Sequence, residues 1–284
     1  MIPITGKTQV FFIIGDPVAQ VRAPEVYNHL FAEHRIDAVL VPLKLPPAAL
    51  PGFLQHAMAA NNVGGLWATI PHKPALAELL QPTDPVARVA GAVNAVRRHP
   101  DGRLEGALFD GIGFVKGLDH FGIDVKGRRV LVVGAGGGGH AVAAAIAQRA
   151  PSQLAVYNRT RDRAASLVQR LLPLVGDAAV VAETADPAGF DLIVNCTSQG
   201  LKPGDVLPFD PQRVDRAAVV VDIIMSREPT PVLAACRARG IRAEAGFEML
   251  AQQVPEYLRF MGFEVLAGKL QADLSGVRAL LQPR

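Results

Sequence analysis

Residues 128–163 read RRVLVVGAGGGGHAVAAAIAQRAPSQLAVYNRTRDR, and this stretch decides the fold. An apolar run, Val130-Leu131-Val132-Val133, is followed at once by Gly134-Ala135-Gly136-Gly137-Gly138-Gly139, then by an alanine-rich segment from His140 to Gln148, then by a second short apolar run, Leu154-Ala155-Val156-Tyr157. Strand, glycine turn, helix and strand in that order form the opening of a dinucleotide-binding unit. Gly134 permits the tight turn off the strand, Gly136 lets the backbone approach a pyrophosphate, and Gly139 lets the helix lie close to the sheet; Gly137 and Gly138 complete the loop. The free amides and positive dipole end of the helix N-terminus then face the phosphates.

The end of the second strand sets the choice of dinucleotide. A site for NAD places Asp or Glu there, about 20 residues after the glycines, to hold the ribose 2′-hydroxyl. This chain has Asn158-Arg159-Thr160-Arg161-Asp162-Arg163 instead. A guanidinium grips a 2′-phosphate in bidentate fashion, whereas a carboxylate repels it. The expected cofactor is therefore NADP, with Arg159 as the principal phosphate ligand, Arg163 assisting, and Asn158 and Thr160 beside them. Asp162 falls in the first turn of the next helix, where a carboxylate is favoured in any case.

Outward from this stretch, apolar segments recur at Ala179–Ala182, Leu192–Cys196, Val219–Ile224 and Ile241–Ala243, alternating with helical patterns. That alternation predicts a doubly wound parallel sheet. Upstream, Val10–Ile14, Val39–Val41 and Leu66–Ile70 read as strands. Helices are expected from Pro24 and over Pro47–Ala60, and Ala92–Val96 and Leu104–Leu108 flank an Asp101-Gly102 hairpin turn. Met249 to Leu281 is helical in pattern. The expected fold class is α/β with two domains. Residues 1–112 and 248–284 form a substrate-binding and catalytic domain, and residues 113–247 form a Rossmann-type NADP-binding domain.

Bulk properties narrow the function classes. A chain of 284 residues, half of them hydrophobic, is long enough for two cores and too apolar for disorder. Its 29 basic and 26 acidic residues leave a net charge of only +3, so no basic stripe marks a nucleic-acid partner. The two cysteines, Cys196 and Cys236, lack metal or redox spacing, and Cys196 is expected as a small buried hydrophobe. The histidines form no metal-ligand cluster, and no metal is expected. No apolar run approaches the roughly 20 residues of a membrane span or resembles a signal peptide, so a cytoplasmic protein without membrane partners is expected, as a monomer or homodimer.

Two residues of the first domain carry chemistry by position. Lys73 follows Thr69-Ile70-Pro71-His72 at the C-terminal end of a strand, and Asp110 closes the hairpin just before Gly111-Ile112-Gly113. Ligands gather at such strand ends in α/β folds. Each residue also has a plain structural reading, Lys73 as a solvated helix start and Asp110 as an N-cap.

Eight ordered blocks extend this reading. Gly15-Asp16-Pro17-Val18-Ala19, Thr69-Ile70-Pro71-His72-Lys73, Gly91-Ala92-Val93-Asn94, Asp110-Gly111-Ile112-Gly113-Phe114, the glycine loop, Asn158-Arg159-Thr160, Asn195-Cys196-Thr197-Ser198 and Met249-Leu250-Ala251-Gln252-Gln253 together resemble the shikimate/quinate dehydrogenase family. The resemblance implies reversible hydride transfer between NADP(H) and a hydroxyl of shikimate or a related polyhydroxylated cyclohexene acid, in the default role of aromatic amino acid biosynthesis. It implies Lys73 as general acid/base with Asp110 as its partner. It places Asn94 and Gln253 on ring hydroxyls, Thr69 beside the carboxylate, and Thr197 and Ser198 at the cofactor.

Departures from the family pattern cluster on one side. The two serines that bind the carboxylate in the family are Val21 and Ala23 here, and an asparagine of the family is Trp67. An Asn-Thr pair is Leu108-Phe109, a tyrosine is Met225, and a glycine is Glu248. The carboxylate-binding side thereby loses three hydroxyl donors, the two serines and the tyrosine, each hydrogen bond to a charged group contributing about 1.5–3 kcal/mol. Three readings follow: a carboxylate held otherwise, with Arg22 as the nearest cation; a related ring with a different substituent; or a non-catalytic metabolite sensor that keeps the fold.

Overall fold

The computed structural model describes residues 3–82, 84–201, 204–225 and 229–281. The chain divides into two units, one made of Met1–Phe109 with Gln253–Leu281 and the other built around Asp110–Gln252. The divisions expected from sequence lay after residues 112 and 247. Helical structure runs through both positions, from Asp110 to His120 and from Phe247 to Phe260.

In the first unit the apolar runs become strands β1 (Gln9–Gly15), β2 (Ala38–Lys44) and β3 (Val63–Ala68), all parallel, while β4 (Ala95–Arg98) and β5 (Leu104–Ala107) form the antiparallel hairpin. The sheet order is β2-β1-β3-β4-β5. β3 is central and buried on both faces, and its glycines permit close strand approach, since a Cβ on Gly65 would lie 2.4 Å from the Val96 carbonyl oxygen. Helices α1 (Ala23–Glu33), α2 (Leu50–His56), α3 (Lys73–Leu80) and α4 (Pro85–Ala90) complete this part. Ile14, Leu50, Met58, Leu66, Leu76 and Val96 form the core between sheet and helices.

Two expectations here are corrected. The helix expected over Pro47–Ala60 is a 3₁₀ turn at Pro47–Ala49, the short α2, and a second 3₁₀ turn at Ala57–Ala59. Pro51 and Gly52 at its start explain the irregularity, one lacking an amide hydrogen and the other lacking helix propensity. The strand expected to reach Ile70 stops at Ala68, and Ile70 is 68% exposed ahead of the cis Ile70–Pro71 bond. Thr69 to Lys73 therefore form the loop leaving the carboxyl end of β3.

The second unit holds six parallel strands, β6 (Arg129–Val133), β7 (Gln153–Tyr157), β8 (Ala179–Val181), β9 (Leu192–Asn195), β10 (Val219–Asp222) and β11 (Arg242–Ala245), in the order β11-β10-β9-β6-β7-β8. The order reverses between β6 and β9, the switch point at whose carboxyl end ligands bind in open parallel sheets. Helices α5 (Asp110–His120), α6 (Gly137–Ala147), α7 (Arg161–Val175) and α8 (Pro231–Ala238) flank the sheet. The alanines of α6 are almost all buried, and small residues let α5 approach it. The chain then ends in α9 (Phe247–Phe260), α10 (Glu264–Ala272) and α11 (Ser275–Leu281). Gly262, at φ +92°, makes the left-handed reversal between α9 and α10.

Candidate functional site

In the second unit the site grows from the glycine turn. Gly134 leaves β6 at φ +110°, and its amide donates to the Tyr157 carbonyl at 2.7 Å. A Cβ on Gly139 would fall 1.9 Å from the Gly134 carbonyl oxygen, so α6 can start here only on a glycine. Gly136 caps α6 without any side-chain bond, and a Cβ on Gly136 or Gly137 would meet nothing within 4 Å. The first amides of α6 thus open onto free space, as a phosphate site requires. Gly138, by contrast, packs toward Ile223.

This turn borders a cavity of about 470 Å³ whose lining includes Gly134, Gly136, Asn158, Arg159, Thr160 and Arg163, and also Thr197 and Ser198. Arg161 points elsewhere and pairs with Glu183 at 2.8 Å, which lowers the pKa of that carboxyl. Arg159 and Arg163 make no ion pair among the described residues and stay exposed on the cavity. Asn158 proves to be a staple of the loop. Its Oδ1 accepts from Ala135 N at 3.0 Å, and its Nδ2 donates to the Thr160 carbonyl at 2.9 Å. Cys196 corrects an expectation, being half-buried and part of the cavity wall. Burial raises its thiol pKa, which disfavours the thiolate.

Sequence reasoning missed the support behind this wall. Thr197 does not spend its hydroxyl on the cavity. That hydroxyl donates to Asn195 Oδ1 at 2.7 Å and accepts from Gln199 N at 3.0 Å. Asn195 in turn bonds to Asp222, which ends the apolar run Val219-Val220-Val221. A charged residue closing a buried strand was the available signal.

In the first unit, β3 and the loop after it carry Thr69 and Lys73. Thr69 N donates to Ile14 O at 3.0 Å, and the Thr69 methyl abuts Gly15. Lys73 begins α3, and its carbonyl accepts from Val93 N, which ties it to the segment carrying Asn94. Asn94 is fully buried. Its Oδ1 accepts from Phe109 N at 3.0 Å; because an amide hydrogen can only be donated, Nδ2 faces the other way, where it has no partner among the described residues. Gln253, 5% exposed, also has a buried Nε2 without such a partner. It stands one helical turn before Tyr257, whose hydroxyl donates to the Asn94 carbonyl. Two buried donors left open cost about 1–3 kcal/mol each unless a ligand accepts from them.

The remaining first-unit residues split. Trp67 sits within an aromatic cluster. It is 2% exposed, stacked on Tyr257 at 5.5 Å and surrounded by Phe11 and Tyr27. Val21 and Ala23 are half-buried and offer no polar side-chain atom. Arg22 lies between them, but its guanidinium holds Glu25 at 2.9 Å and the Leu280 carbonyl at 2.9 Å. Asp110 opens α5. Among the described residues no group of three or more His, Cys, Asp or Glu side chains is placed to hold a metal ion, and no helix is long and apolar enough to cross a membrane.

A six-stranded parallel sheet with a glycine turn at its switch point and arginines beyond its second strand defines a dinucleotide-binding α/β protein. Comparison with known proteins gives the family. Residues 13–96 match the Shikimate dehydrogenase substrate binding domain, and residues 117–235 match the Shikimate / quinate 5-dehydrogenase family. A shikimate dehydrogenase (NADP(+)) of Rubrobacter xylanophilus is 36% identical over 280 residues, covering 96% of this chain and 98% of its own. One of Methylobacterium radiotolerans is 38% identical over 277 residues, covering 93% and 97%. Among solved structures, shikimate 5-dehydrogenase of Thermus thermophilus in complex with NADP(H) and shikimate superposes with a TM-score of 0.79 at 29% identity, covering 93% of this chain and 100% of that one. The chain belongs to the shikimate dehydrogenase family.

Proposed function

We propose that this chain catalyses reversible, NADP-dependent hydride transfer at a ring hydroxyl of shikimate or a closely related polyhydroxylated cyclohexene. The observation that carries the reading is the pair of buried, open amide donors on Asn94 and Gln253. Such groups suit the oxygens of a polyhydroxylated ring. Thr69, on the loop that leads to Lys73, is assigned to the same ligand. The cavity of the second unit fits NADP, with α6 amides for the pyrophosphate and Arg159 and Arg163 for the 2′-phosphate.

When bound, NADP supplies the hydride acceptor. As the hydride leaves the ring carbon, Lys73 Nζ takes the proton of the attached hydroxyl and the C–O bond becomes a carbonyl; in reverse Lys73 returns that proton. Asp110 is assigned the orientation of the hydroxyl and of Lys73.

A second substrate reading has its own support. With Val21 and Ala23 apolar and Arg22 engaged by Glu25 and Leu280, that segment presents no side-chain hydroxyl to a carboxylate. This favours a ring whose substituent differs from that of shikimate.

The test is initial-rate NADP reduction with shikimate, quinate and an amino-substituted analogue at millimolar concentration. Fast, saturable turnover with shikimate supports the first reading, and preference for the analogue supports the second. No turnover with any of the three, alongside tight NADPH binding, would overturn the substrate class. Lys73→Ala should lower kcat by about 10²–10⁴-fold with whichever substrate is used. An unchanged kcat would remove Lys73 from the proton transfer.

A further inference from the structure

Asp222 is a fully buried carboxylate at the end of β10 that lines no part of the cofactor cavity and makes no ion pair among the described residues. Its Oδ2 accepts from the Thr230 hydroxyl at 2.6 Å, and its Oδ1 accepts from Ile224 N and from Asn195 Nδ2, both at 3.0 Å. Asn195 is its register partner on β9 and is equally buried. The other end of that amide, Oδ1, accepts from both the amide and the hydroxyl of Thr197, at 3.0 and 2.7 Å. Asn195 Nδ2 also lies 3.4 Å from the Gln199 carbonyl, so the loop 195–199 closes around this one side chain. The Thr197 methyl then meets the glycine turn. A Cβ on Gly134 would lie 2.9 Å from Thr197 Cγ2 and 3.0 Å from the Cys196 carbonyl carbon.

A continuous path of hydrogen bonds and one packed contact thus runs from Asp222, through Asn195 and Thr197, to the turn that borders the cavity. We propose that Asp222 is a positioning residue for cofactor binding, which fixes the orientation of Asn195 and so preforms the wall of the cavity opposite the arginines. The residue type follows from the donors. Three of them converge, and only an ionised carboxylate accepts from all three without presenting a hydrogen of its own. An amide in its place either turns its NH₂ toward Asn195, donor against donor, or turns it toward the Thr230 oxygen, whose own hydrogen then loses its acceptor. Holding a charge in the interior is costly, and a strand end with only a packing role would have no need of one.

This inference rests on the reading of the cavity as the NADP site. The experiment titrates NADPH fluorescence and measures steady-state kinetics on the wild type, Asp222→Asn, and Thr197→Val, which keeps the wall's bulk but loses its hydroxyl. The Kd for NADPH and the KM for NADP should rise about tenfold in both variants, while in Asp222→Asn kcat at saturating cofactor and the KM for the ring substrate change by less than about threefold. Combining Asp222→Asn with Thr197→Val should cost less than the sum of the two, because both act on one path. Folded Asp222→Asn protein with unchanged NADPH affinity would overturn the proposal. If Asp222→Asn does not fold, unchanged affinity in Thr197→Val overturns it as well. Failure of the wild type to bind NADPH would instead refute the cofactor reading.

Discussion

His72 shows how one side chain beside Lys73 answers to its surroundings. It is 1% exposed, and its Nε2 lies 2.9 Å from the Leu45 carbonyl, which can only accept, so Nε2 carries the hydrogen of a neutral imidazole. Burial pushes its pKa below the ordinary value, outweighing the Leu45 hydrogen bond and the nearby Asp16, which both pull it upward. The folded value therefore lies below the unfolded one of about 6.5, and between the two the unfolded chain binds more protons. Stability from this group is present above pH 6.5 and is lost as pH falls toward the folded value. Urea midpoints measured from about pH 7 to 5 should fall in the wild type, and His72→Gln, which keeps a donor for Leu45 but cannot titrate, should flatten that part of the curve. Parallel curves for the two proteins would show that His72 titrates alike in both states. At this scale the sequence tells the type of a residue but not which of its atoms are occupied. That Lys73 opens α3 and Asp110 opens α5 was legible from the strand and the hairpin that precede them. That Asn94 spends its oxygen on Phe109 and keeps its nitrogen open was not, because this depends on two backbone segments brought together by folding.

Elements were legible wherever periodicity and punctuation agreed. The runs Val130–Val133 and Leu154–Tyr157, bounded by glycines and by Asn158, became β6 and β7 within a residue or two. The C-terminal stretch read as one helical pattern because apolar spacing continues through it; three helices result, since Gly262 adopts a left-handed conformation that no helix interior allows and Asp273 turns to extended backbone after α10. Helix contacts were beyond reach. Gly111 is the point at which α5 meets α6. A Cβ there would lie 2.3 Å from the Ala141 carbonyl oxygen and 2.8 Å from Ala145 Cβ. Neither atom yields easily, since one is helix backbone and the other a side chain without rotamers. Gly111→Ala should therefore destabilise the protein by about 1–3 kcal/mol, as overpacking does, despite the better helix propensity of alanine. Chemical denaturation decides the point, and a gain in stability would mean that α5 shifts without cost.

Over the whole molecule, each unit has its own sheet, and the second also keeps a contiguous core of its own, from Leu131 and Val133 on β6 to Val220 on β10 and Ala243 on β11. A ligand that binds only the folded second unit must raise its stability by mass action, and cofactor choice becomes measurable as heat resistance without any knowledge of the ring substrate. At a free concentration one hundred times its Kd, NADPH should add about 2.7 kcal/mol. For units of this size that corresponds to a rise of roughly 5–10 °C in Tm, at about 2–4 °C per kcal/mol. We assign the discrimination to Arg159, exposed on the cavity and without an ion-pair partner among the described residues, whereas Arg161 is held by Glu183. Arg159→Asp should abolish the shift caused by NADPH, because a carboxylate there faces the 2′-phosphate, and should leave or enlarge the shift caused by NADH, whose ribose hydroxyl the new carboxylate can accept from. Arg161→Asp loses only a surface pair and should change neither shift. Equal losses for both dinucleotides in Arg159→Asp would mean that the arginine shapes the cavity in general and does not read the phosphate.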